Sequence, residues 1–333
     1  MDKMTEQILR MRMHGLYLSR RCEDITRLSH ELLGLHCWFH RNVAFSALIR
    51  GAGLMGWKYA LTKTWLYRGT LHGVDFDDLP QLLALHADDS LSWLLLNEEK
   101  QREIADRVVS LLEDGVYSRA EMRRIFAYEL DGEVIDRVFS SWGGIFVYLA
   151  RRGRVAFRDM TSRDFDLIDA MPTQTPEEIL PELLRRFFAA YGPATISDAA
   201  WFFGLLKDDK RKLSAVDSDE FSRLEHGGNT YYYVEPVAHM GDIPELTLLS
   251  GFDPIIVSYA ERSAILPPEY KKAVVTKAGI CLPTIAVNGK VAGLWNIKKG
   301  QAVIEFFEKQ PKRIKDSAAD WADRIRRQTT GII

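Results

Sequence analysis

The chain has 333 residues, 47% of them hydrophobic and 27% charged, with 44 Lys and Arg against 46 Asp and Glu and a formal net charge of −2. This is the balance of an ordinary globular protein, long enough for two or three domains. It excludes a polycation that binds nucleic acid over its whole surface, so any such binding needs basic residues gathered on one face.

The first unit is expected to span residues 1–96. Residues 4–22 read as a helix broken near Gly15, with Ile8, Met11, Leu16 and Leu18 inward, and residues 23–33 as a second helix ended by Gly34. Residues 35–39 read as a short strand or extended turn, and residues 42–49 as a helix. An extended backbone through this stretch would set His36, Trp38 and His40 on one side, opposite Cys37 and Phe39. Residues 63–74, KTWLYRGTLHGV, alternate aromatic or β-branched residues with polar ones and read as one strand. Thr64, Leu66, Arg68, Thr70 and His72 then share one face, while Trp65, Tyr67, Gly69 and Leu71 face the core. An arginine, a hydroxyl and an imidazole in a row suit a site for a phosphate and a polar ring; a merely solvated sheet face is the plainer alternative. Asp77 or Asp78 caps a helix over residues 77–87.

The pattern changes at Asn97. In a unit spanning residues 97–170, an amphipathic helix covers 98–113, Ser118 caps a helix over 119–128, and a third helix covers 132–150 with a break at Gly143-Gly144. Residues 151–158, RRGRVAFR, then read as the tip of a basic hairpin. Three helices and a basic hairpin describe a winged helix-turn-helix, whose third helix and wing contact DNA, which assigns that role to Arg151, Arg152 and Arg154. A unit spanning residues 175–240 repeats the plan. It has a helix over 177–191, a second over 197–204 behind a serine cap, and a third over 207–216 carrying Lys207, Lys210 and Arg211. A hairpin follows over 224–234, with its tip at His226-Gly227-Gly228-Asn229. Residues 245–333 turn to strands, with a hairpin turn at Asn288-Gly289 and a closing helix over 316–327. The expected fold is α+β: tandem winged helix-turn-helix units followed by a small C-terminal β-barrel-like domain.

Two stretches carry a resemblance. Arg68-Gly-Thr-Leu-His72 with the following DDLPQLLALH, and LLSGFDPIIVSYAERSA with PTIAVNGKVAGLW, resemble the bacterial winged-helix DNA glycosylases, which excise alkylated purines and unhook interstrand crosslinks. Arg10–Leu16 also resembles that family's opening helix. The resemblance covers nearly the whole chain and implies double-stranded DNA as partner and hydrolysis of an N-glycosidic bond. The family's catalytic motif is a glutamine, an apolar residue, and then a glutamine or aspartate, shortly after a Gly-Leu pair. Here Gly34-Leu35 is followed by His36, Cys37 and Trp38, and no glutamine occurs between Gln7 and Gln81.

Such hydrolysis passes through an oxocarbenium-like transition state and needs a group to handle water. His36 is the candidate, because an imidazole titrates near neutrality. Trp38 offers only an N–H donor and a face on which a base can stack. His40, Arg68, Thr70 and His72 would complete a pocket for base and phosphate. The three histidines lack the carboxylate or cysteine that would complete a metal site, so no metal or cofactor is assigned. Asp253 and Arg262 read as a structural ion pair or turn cap. A non-catalytic DNA-binding protein is the rival reading, favoured by the missing second glutamine or aspartate; a ligand-sensing regulator is another. The scattered Cys22, Cys37 and Cys281 give no disulfide framework. No apolar run approaches the roughly 18 residues that span a bilayer, and the N-terminus is too polar for a signal peptide. The expectation is a monomer in the cytoplasm, associated with the nucleoid and not with a membrane.

Overall fold

Asp2 starts the first helix: its carboxylate accepts from the N–H groups of Met4 and Thr5, and α1 (Lys3–Gly15) begins directly behind it. The computed structural model describes residues 2–87, 89, 91–205, 213, 220–235 and 240–331. Its contacts divide the chain into two units, residues 1–55 with 184–333, and residues 56–183. In the first unit α1 ends where expected. A side chain at Gly15 would come within 2.2 Å of the Ala190 carbonyl, so only glycine fits there. Then follow α2 (Ile25–Glu31), capped by Asp24, the two-residue strand β1 (Leu35–His36), and α3 (His40–Arg50), which covers the expected helix and starts two residues earlier.

The second unit opens with α4 (Trp57–Ala60), β2 (Thr62–Trp65), β3 (Leu71–Val74) and α5 (Leu79–Ala84). The stretch read as one strand is thus a hairpin. Arg68 (φ 55°) and Gly69 (φ 64°) take left-handed conformations in a single turn of 3-10 helix, and the register pairs Thr64 with His72. Of the face expected to be polar and open, Thr64 is fully covered, Leu66 is buried and His72 is 6% exposed, while Arg68 and Thr70 are half-buried. Helices α6 (Glu98–Glu113), α7 (Arg119–Phe126), α8 (Gly132–Val138) and α9 (Ile145–Arg151) follow. Asn97 and Ser118 cap the first two, and the Gly143-Gly144 pair separates the last two. Strands β4 (Val155–Phe157) and β5 (Phe165–Leu167) pair antiparallel. The core of this unit joins the α6 stripe (Ile104, Val108, Leu112) to a group of rings, in which Phe146 and Phe165 stack at 3.9 Å beside Trp65. The hairpin of β4 and β5 was expected, but its tip lies at residues 158–164. The basic run at 151–154 instead closes α9 and leads into β4.

Helix α10 (Pro176–Tyr191) contains the division between the units. Back in the first unit, α11 (Ile196–Phe203) is capped by Thr195, whose side chain exchanges hydrogen bonds with Asp198 in a capping box; the serine expected as cap, Ser197, lies inside the helix. Strands β6 (Ser222–His226) and β7 (Asn229–Tyr233) form the expected hairpin around Gly227 and Gly228, both left-handed. The third helix expected at 207–216 falls almost entirely outside the described residues. Strands β8 (Leu246–Leu249), β9 (Thr284–Val287), β10 (Lys290–Lys298) and β11 (Gln301–Phe306) form an antiparallel sheet in the order β11-β10-β9-β8, turning at Asn288-Gly289 as expected. This sheet is open, where a barrel-like end was expected. The run PIIV, read as strand, is helix α12 (Pro254–Val257), because Asp253 caps it and Pro254 suits its first position. After α13 (Lys271–Val274), α14 (Lys312–Thr329) packs on the sheet and buries Ile314, Ala318, Ala322 and Ile325. Among the described residues no helix is long and apolar enough to cross a membrane.

Candidate active site

Extended backbone lasts only through β1. His36 ends the strand, the chain bends, and His40 is already the first residue of α3. The alternation expected over residues 36–40 is therefore broken: Cys37 is fully buried and Phe39 is exposed, while His36, Trp38 and His40 are half-buried. The His36 ring lies flat on that of Phe252, with centroids 4.2 Å apart and planes 3° from parallel. The backbone N–H of Trp38 donates to His36 Nδ1 at 3.4 Å. In that arrangement the neutral ring carries its proton on Nε2.

A polar stripe on α3 ties that helix to the turn before α12. Asn42, Ser46 and Arg50 follow one another at intervals of four, on one helix face, and all are buried. Arg50 meets Asp253 in a two-pronged ion pair, at 2.8 and 3.1 Å, with neither side chain exposed. Its Nε donates to the Leu16 carbonyl, and a remaining N–H to the Ser46 hydroxyl. Asp253 also accepts from the backbone N–H and hydroxyl of Ser250 and from the N–H of Ile255, so the buried carboxylate is fully satisfied. The ion pair foreseen for Asp253 thus exists, but its partner is Arg50; Arg262 lies over the Trp201 ring at 5.8 Å. Arg50 was missed, though three polar residues at four-residue spacing within the apolar run of residues 42–50 are a readable sign.

The residues expected beside His36 belong to the other unit. Arg68 sits at the tip of the hairpin and Thr70 in its turn, its hydroxyl donating to the Tyr67 carbonyl. His72 is covered, donates from Nδ1 to the Thr70 carbonyl at 3.1 Å, and meets the Tyr67 ring edge-on. Burial, more than the nearby Arg68 charge, pushes its pKa down to about 4, so His72 is neutral at pH 7.

The basic residues are less available than their sequence clusters imply. Arg151 is 15% exposed and paired with Asp89 at 3.3 Å, its pKa lowered by burial. Arg152 folds over the Tyr148 ring at 3.6 Å, and Arg154 borders a shallow recess beside Leu167 and Asp169. Lys207, Lys210 and Arg211 lie outside the described residues. Arg12, on α1, is buried: it stacks on Tyr259 at 3.8 Å and donates to the Pro193 carbonyl. With Asp198, His226 and Asn229 it lines a cavity of about 440 Å³ in the first unit, which the sequence did not announce.

A family profile described as "DNA glycosylase AlkZ-like" matches residues 58–326, a stretch that begins downstream of His36. The chain is 27% identical over 275 residues to a protein of Streptomyces sahachiroi named "Interstrand DNA cross-link repair glycosylase", covering 74% of this chain and 73% of that one. The solved structure of the Streptomyces sahachiroi DNA glycosylase AlkZ is similar with a TM-score of 0.77 at 25% identity, over 96% of each chain. The resemblance drawn from the FDP turn, the Asn288-Gly289 hairpin and the Arg68–His72 stretch is therefore sound: the chain belongs to the AlkZ-like DNA glycosylase family.

Proposed function

We propose that the protein is a monofunctional DNA glycosylase that hydrolyses the N-glycosidic bond of alkylated or crosslinked purines in double-stranded DNA, with residues 35–40 as its reacting segment. One observation carries this reading. His36, in the position of the family's first catalytic glutamine, is half-exposed and held both by its ring face and by one ring nitrogen. A purine alkylated on a ring nitrogen is cationic. Its C1′–N bond breaks with the electron pair passing to the base, leaving positive charge on the sugar. Water adding to that centre needs placement more than deprotonation. With Nδ1 taken by the Trp38 N–H, His36 holds the water oxygen as a donor from Nε2, and the proton the water loses passes to solvent. The Trp38 ring supplies a stacking face for the base, which contributes roughly 1–3 kcal/mol.

Two winged helices would carry the duplex: α6 to α9 with the hairpin of β4 and β5, and α10 and α11 with the hairpin of β6 and β7. The succession of helices and hairpin in each supports this. Arg152, Arg154, Arg68 and His40, with Lys207, Lys210 and Arg211, are the proposed contacts to backbone and substrate, acting in a monomer on nucleoid DNA. Base release from DNA carrying 7-methylguanine is the test, comparing wild type with His36→Ala and Trp38→Ala. Release abolished in His36→Ala is the expected result. A second reading, a DNA-binding protein without hydrolysis, draws on Trp38, whose indole replaces a carboxamide or carboxylate. It predicts no release by wild type together with binding that weakens steeply with salt.

A further inference from the structure

We propose that Phe252 is a positioning residue for His36, set in place by the buried Arg50–Asp253 pair. The inference rests on the reading of His36 as the group that holds water. A parallel contact at 4.2 Å and 3° fixes the plane of the imidazole, and the Trp38 N–H to Nδ1 fixes its rotation within that plane. Together the two constraints fix the direction in which Nε2 points.

The backbone singles out residue 252 as more than filler. Its φ is +56°, a left-handed conformation that strains a bulky L-residue and that glycine adopts freely. The preceding residue is a glycine, but for a different reason: a side chain at Gly251 would come within 2.9 Å of Asn42 Oδ1 on α3. A ring is thus kept at the strained position, and that ring is only half-buried, so core packing does not account for it. The turn withstands the strain because both its ends are tied. Phe252 N–H donates to the Cys281 carbonyl, and Asp253 gathers Ser250, Ile255 and both prongs of Arg50. Arg50 ends the same helix that His40 begins, so one rigid element connects the reacting segment to the turn that backs it.

The experiment compares Phe252→Gly, Phe252→Tyr and His36→Ala in the full chain. Phe252→Gly removes the ring and relieves the φ strain, which separates loss of the ring from loss of the fold. Three readouts are taken: single-turnover release of 7-methylguanine, Kd for the same duplex, and NMR shifts of the His36 ring protons in histidine-labelled protein. In Phe252→Gly the release rate is expected to fall by roughly 10²-fold, the effect of a displacement of about 1 Å at a reacting group. Kd stays within a factor of about two, since no duplex contact is removed. The His36 ring protons move downfield as the ring current is lost, and Phe252→Tyr restores both rate and shift. Wild-type release by Phe252→Gly, with His36→Ala inactive, would overturn the positioning role and leave the proposed function standing. Wild-type release by His36→Ala would remove the role of His36, and that of Phe252 with it.

Discussion

The segment around His36 and the hairpin around His72 hold an imidazole by opposite means. In the first unit His36 lies flat on Phe252, next in sequence to Asp253 of the unexposed Arg50–Asp253 ion pair, and the histidine stays half-exposed. In the second unit the hold comes from burial: His72 stands opposite Thr64 in the hairpin, edge-on to the Tyr67 ring and 6% exposed, and its pKa falls to about 4. A ring covered on all sides loses its ability to titrate near neutrality, whereas His36 keeps part of its surface exposed. In the first case a neighbouring ring fixes the plane of the imidazole; in the second the histidine is part of what is packed.

The largest test of this contrast is to remove one side of the ion pair. Arg50→Met leaves the Asp253 carboxylate buried and unpaired, which should cost about 3–5 kcal/mol in urea denaturation. Adding Asp253→Leu should recover much of that loss. A single variant close to wild type would show that charge does not brace this segment. Next comes pH in the second unit. Because the folded pKa of His72 lies below 6.5, the unfolded chain takes up a proton that the folded chain refuses. Stability is therefore complete above pH 6.5 and lost as pH falls toward 4, by at most about 3 kcal/mol. His72→Asn should flatten that slope, measured as the urea midpoint between pH 7 and 4; an unchanged slope would place the effect elsewhere. A smaller effect belongs to the start of α11, where Thr195→Ala removes a cap of about 1 kcal/mol, read as a change in Tm. At the far end, the exposed pair Arg313–Glu245 should be silent: Arg313→Ala leaves Tm unchanged if charge braces only where water is excluded.

Local signals were legible. The α6 stripe, the Ser118 cap and the paired turns at Gly227-Gly228 and Asn288-Gly289 all depend on neighbours a few residues apart, and each forms where the sequence places it. Errors came where a local rule met a stronger one. Alternation over residues 63–74 suggested a strand, but Gly69 and the left-handed Arg68 fold it into a hairpin. The β-branched PIIV suggested a strand, but the Asp253 cap and Pro254 start a helix. The run at 151–154 suggested a solvated wing tip, yet Arg151 closes a helix and pairs with Asp89. For the candidate site, His36 and the segment itself were readable. Phe252 was not, and the partner of Arg50 was not, because the contacts His36–Phe252 and Arg50–Asp253 bridge some 200 residues of chain.

Cys37, between His36 and Trp38, has no exposed surface and no disulfide partner. A thiol in that position cannot meet an alkylating reagent until the segment opens, so its modification rate is a native clock for the breathing of residues 36–40. Cys22 and Cys281 are buried as well, and burial pushes the Cys281 thiol up to about 12, so peptide mass spectrometry can follow each sulfur separately. Bound duplex that rests on the segment would slow the Cys37 clock and leave the other two running.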